Sequence, residues 1–88
     1  MEKEFKELQE YIDLIISTAR LLNYNVTSSF TTTYIFKKDS YAPFMSFTLI
    51  NDFNHVILAT SLYKDQKEIV AYPEDNKIEH LQSLLEEL

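Results

Sequence analysis

The chain has 88 residues, 45% hydrophobic and 25% charged, with 14 Asp and Glu against 8 Lys and Arg for a formal net charge of −6. That length holds one small core, so a single domain over 1–88 is expected, and the apolar share is too high for a disordered chain. The acidic balance argues against direct nucleic-acid binding. The lack of Cys and Gly removes disulfide frameworks, thiolate metal sites, phosphate-cradling loops and dinucleotide fingerprints.

The N-terminal stretch MEKEFKELQEY is charged and amphipathic rather than a basic region followed by an apolar one, and no apolar run approaches the roughly 18 residues of a membrane span. A cytoplasmic protein with no membrane contact is expected, in which the sequon Asn25-Val26-Thr27 goes unused. Lys dominates over the single Arg20, and Ile, Asn, Tyr and Phe are plentiful. AT-rich codons produce that bias, which suggests a low-GC bacterium or its phage.

Phe5, Leu8, Ile12, Ile15, Ile16, Ala19 and Leu22 recur at three- and four-residue spacing, which predicts a helix from Glu4 to Leu22 with one apolar face. Asn23 and Asn25 interrupt the pattern. From Tyr24 to Phe36 β-branched and aromatic residues take over. Counting by twos predicts one long strand, with Tyr24, Val26, Ser28, Phe30, Thr32, Tyr34 and Phe36 toward the core and Thr27, Thr31, Thr33 and Ile35 away from it. Lys37 to Ser40 supplies a turn. A second strand is predicted from Tyr41 to Ile50, with Met45, Phe47 and Leu49 inward and Phe44, Ser46, Thr48 and Ile50 outward, and with Pro43 near its start or on an open edge. Asn51-Asp52-Phe53-Asn54 turns the chain into a third strand, His55 to Tyr63. Glu68 to Tyr72 is a short fourth candidate that Pro73 closes.

Asp75 or Asn76 caps a final helix, with Glu79 completing a capping box, and Ile78, Leu81, Leu84, Leu85 and Leu88 form its buried stripe. In the absence of Gly, turns fall to Asp39-Ser40, Asn51-Asp52 and Asp75-Asn76. The order predicts an α+β two-layer sandwich: an antiparallel meander of three to four strands with both terminal helices on one face.

Catalytic constellations are sparse. His55 follows Asp52, and His80 sits beside Glu79, so a metal cluster or a small enzyme using His55, His80 and nearby carboxylates is the alternative function; two ordinary histidines are the more economical reading. Ser40 or Ser61 with His55 and Asp52 has no supporting motif. No catalytic, cofactor or metal residue is therefore assigned. Lys37-Lys38 near Tyr34, Phe36 and Tyr41 resembles a hairpin tip more than a single-strand platform. Glu4, Glu7, Glu10 and Asp13 invite a DNA-mimic reading. A three-residue step falls about 60° short of a turn, however, so the row winds around the helix, and Lys3–Glu7 and Lys6–Glu10 are spaced to pair. A solvated face explains the row better. Thr31-Thr32-Thr33 offers one hydroxyl pair, not an ice-binding array.

With helices on one face, Ile35, Phe44, Ile50, Ile57, Ala59 and Tyr63 are expected on the other, among Thr and Ser. So apolar and uncharged a face implies a protein partner, with a homodimer expected first and Phe44, Ile57 and Tyr63 as anchors. The long first strand is a candidate edge for strand addition. The expected function is a small, acidic, non-enzymatic protein-binding module. Its sharpest form is a phage or mobile-element inhibitor that sterically blocks a host defence or nucleic-acid enzyme.

Overall fold

A computed structural model describes residues 2–53 and 55–88. The order is α1 (Glu2–Leu21), β1 (Asn25–Ser29), β2 (Thr32–Phe36), β3 (Met45–Asp52), β4 (His55–Lys64), β5 (Lys67–Ala71) and α2 (Lys77–Glu86). The five strands form one antiparallel meander in sequence order. The α+β architecture is the expected one, with one strand more than the sequence suggested.

The helix α1 buries Leu8, Ile12, Ile15 and Ala19 as their spacing requires, while Leu22 lies past its end and is largely exposed. Its termination is specific. Asn23 takes a left-handed φ of 64°, the Tyr24 N–H reaches back to the Ala19 carbonyl at 2.9 Å and the Asn23 N–H to Arg20 at 3.0 Å. This is a Schellman closure with Asn in the position glycine usually holds.

The segment predicted as one strand is a hairpin. Ser29 pairs with Thr32, which leaves Phe30 and Thr31 as a two-residue loop, and Phe30 adopts φ 53°. Because paired residues point to the same side of a sheet, a two-residue loop inverts the parity of inward positions. Val26 points inward on β1, but on β2 the inward residue is its partner Ile35, which is wholly buried. Tyr34, Thr32 and Phe36 accordingly belong to the opposite face. Placing Ile35 outside is thus corrected: it is a core residue.

The next strand begins at Met45, not Tyr41. Tyr41 to Pro43 remain exposed, and the first ladder contacts are the Phe44 N–H to the Ile35 carbonyl, 2.7 Å, and the Tyr63 N–H to the Phe44 carbonyl, 2.9 Å. Pro43 has no N–H to contribute and sits just ahead of the pairing. From there Met45, Phe47 and Leu49 are buried as expected. Asp52 pairs with His55 across the following turn, where the Asp52 carboxylate accepts the Phe53 N–H at 2.8 Å; Asn54 of that turn lies outside the described residues. Asp65 and Gln66 link β4 to β5, both with positive φ, as a type I′ hairpin turn requires.

The core is one cluster in which the inward rows, such as Val26, Ile35, Met45 and Leu62, meet α1 together with Leu81 and Leu84 of α2. Both helices therefore cover the same side of the sheet. Asn76 at the start of α2 is left-handed, φ 54° and ψ 42°, and makes no side-chain cap bond, so the expected capping box does not form. A capping side chain reaches the first turn from an extended backbone, not from a left-handed one. The two helix starts are instead linked by Lys77, which pairs with Glu4 at 3.6 Å and donates to the Glu74 carbonyl at 2.9 Å. Among the described residues no helix is long and apolar enough to cross a membrane.

Candidate functional site

Strand register assembles the uncovered face row by row. Thr27, Tyr34, Ser46, Ser61 and Val70 are successive neighbours across all five strands. Ser29, Thr32, Thr48 and Ala59 form the next row, and Ile50 faces Ile57 beyond it. On the other side of the first row, Phe36 lies opposite Asn25 and Tyr63 opposite Glu68. Between the Asp52–His55 pair at one end and the lysine-bearing turns at the other, Glu68 is the only ionised side chain of this face among the described residues.

Two pairs of polar side chains on this face are bonded to each other. Thr32 and Thr48 approach to 2.8 Å between oxygens, and the Ser61 hydroxyl donates to Glu68 Oε1 at 2.6 Å. These bonds restrain Thr32, Thr48, Ser61 and Glu68. Above them stand apolar groups: Ile50, Tyr63 and Val70 are 38%, 46% and 50% exposed, while Ile57 and Ala59 are half-buried by their neighbours. A depression of about 260 Å³ lies toward the Tyr63 end of this face, lined by Tyr34, Pro43, Phe44, Ser46, Ser61, Tyr63 and Glu68 among others.

Of the residues expected to bind a partner, Ile50, Ile57 and Tyr63 lie on this face, with Ala59 between them, and Ile35 does not. Phe44 is intermediate. It packs against the core margin, its ring meeting Tyr24 edge-on with centroids 6.4 Å apart, and Lys37 Nζ sits 4.2 Å from its centroid. It is thus a half-buried end wall rather than a protruding anchor. Tyr34, Phe36 and Val70 were missed as members of the face, and the signal that would have placed the first two is the loop at Phe30-Thr31.

His55 begins β4 on the uncovered side, since Val56 next to it is buried, whereas His80 lies on α2 over the covered side. The sheet separates the two histidines, so they share no site. Among the described residues no group of three His, Asp or Glu side chains is arranged to hold a metal ion. His80 Nε2 is instead hydrogen-bonded with the buried Thr60 hydroxyl at 2.6 Å, and burial lowers its pKa from the ordinary 6.5. The acidic row of α1 is exposed. Glu4 is engaged by Lys77 and Asp13 accepts from Gln9 at 3.1 Å, while Lys3–Glu7 and Lys6–Glu10 do not close to ion-pair distance.

This face, with its small depression, lies on an α+β meander with both helices behind it. Compared with protein-family models, curated proteins and solved structures, the chain matches none.

Proposed function

We propose that this chain is a non-enzymatic protein-binding module whose contact surface is the uncovered sheet face. One observation carries the proposal: in a chain of net charge −6 the strands present a face whose only ionised group away from the ends, among the described residues, is Glu68. Charge is depleted from the centres of protein interfaces because a buried unpaired charge is costly. Aromatic and aliphatic groups among small polar ones are what such a centre requires.

Two copies meet through the same face when no other partner is present. Five strands about 4.8 Å apart and about five residues long, at about 3.3 Å per residue, cover roughly 400 Å². That is about half the 800 Å² per partner of a standard interface, which predicts a reversible homodimer in the micromolar range or weaker. The narrower form, a steric inhibitor of a host defence or nucleic-acid enzyme, is supported by small size, acidity and an amino-acid bias of the kind AT-rich codons give. Light scattering over a wide concentration range tests the proposal. The mass should rise toward that of a dimer for the native chain and stay monomeric for Ile57→Asp, with the circular dichroism of the two expected to be the same. A native chain that stays monomeric at millimolar concentration, or an Ile57→Asp variant that still dimerises, overturns self-association through this face.

A further inference from the structure

The depression in the uncovered face has a composition that defines its occupant. Ser46 and Ser61 are directly opposed on β3 and β4 and form a floor of two small side chains. Tyr34, the other neighbour of Ser46, walls one side; Phe44 and Tyr63 close one end; Glu68 stands across from Tyr34. The floor presents acceptors at Ser61 and a hydroxyl that can accept or donate at Ser46. The Ser61 hydroxyl spends its proton on Glu68 Oε1, which leaves its lone pairs open, and Glu68 takes part in no ion pair among the described residues. Acceptors, a held carboxylate and tyrosine rings together select a ligand that is cationic, flat and only a donor.

We propose that this depression is the receptor for an arginine side chain of the partner protein. The inference rests on the uncovered face being the binding surface and names the chemistry it reads. A guanidinium stacks on tyrosine faces and forks onto a carboxylate, whereas an ammonium is compact and holds its water more tightly. The volume, about 260 Å³, falls below the roughly 300–1,000 Å³ of sites for drug-sized ligands and suits one side chain. The aromatic cluster already attracts a cation from the adjoining groove, where Lys37 lies over Phe44; Lys37 does not line the depression itself. The net charge of −6 draws a basic partner toward the surface.

Nuclear magnetic resonance titration of the isotope-labelled full chain with Nα-acetyl-arginine amide tests the assignment. Single side-chain probes bind in about the millimolar range. Saturable shifts are expected at Ser46, Ser61 and Glu68 and at the rings of Tyr34 and Tyr63. The neutral isostere Nα-acetyl-citrulline amide, and the arginine probe with Glu68→Gln, should bind at least about tenfold more weakly, as loss of a charged partner implies. Absence of saturation, or equal binding of citrulline, overturns the arginine receptor; equal binding of Nα-acetyl-lysine amide overturns the preference for a guanidinium. Ile57 lies two rows away from the depression. A chain that fails these titrations but still loses association on Ile57→Asp keeps the face as an interface and loses only the receptor.

Discussion

Six described non-glycine residues hold positive φ: Asn23, Phe30, Asp39, Asp65, Gln66 and Asn76. Asn and Asp tolerate that region because their short polar side chains find local partners; Phe and Gln have no such relief and incur about 1 kcal/mol each. Phe30 also contributes no packing, since its ring is fully exposed. Phe30→Gly should therefore raise stability by about 1 kcal/mol in urea denaturation, and an unchanged or lower midpoint would refute strain at that turn. The expectation that Asp39 and Asn76 serve turns came from residue chemistry and holds. Phe30 was illegible for the same reason: none of its neighbours is Gly, Asn, Asp or Pro, so hydrophobic alternation ran through the turn unbroken. His80 belongs to this scale too. Its folded pKa is depressed, so the unfolded chain binds the extra proton; stability from this group is complete above about 6.5 and is lost as pH falls through the folded value. Denaturation midpoints between pH 7.5 and 5 should fall in the native chain, and His80→Asn should flatten that fall.

Parity decides what each strand does. Ile35 and Ile57 look alike as isolated residues in alternating segments, yet one is at the centre of the core and the other on the uncovered face. Ile35→Ala should cost about 2–4 kcal/mol, the usual loss for a buried Ile, and Ile57→Ala less than about 1 kcal/mol. Equal losses would contradict the register. Helices, β3 and β4 were legible because each keeps one period along its length and a Pro or a polar cluster ends it. The first hairpin was not, because register across a two-residue loop is a property of the pair of strands and not of either alone. Tyr34 was assigned to the wrong face on that account, and with it the aromatic wall of the depression. The edge, too, changes character. As a separate strand β1 is five residues long, uncharged and without Pro, so it keeps the open hydrogen-bonding side foreseen for a much longer segment.

Across the whole molecule, the acidic helix and the nearly uncharged sheet face are segregated. The acidic residues of α1 lie on the side of the sheet away from the uncovered face. An interface made by that face should be nearly insensitive to salt between about 50 and 500 mM, while one made by α1 should weaken steeply over the same range. Sedimentation or scattering in graded salt separates the two. The arginine receptor adds one charged contact, so a modest salt dependence that Glu68→Gln abolishes is the expected signature when a partner is bound.

Every strand pairs only with its neighbour in the chain, which makes the order of folding legible. Closing a two-residue loop costs little entropy, whereas bringing α1 against α2 must close most of the chain. The β3–β4 hairpin, with eight paired positions, is the longest of the pairings and lies in the middle of the sequence. It is the expected nucleus, so Leu58→Ala should chiefly slow folding and Leu84→Ala chiefly speed unfolding. The chain starts from its centre and commits its ends last.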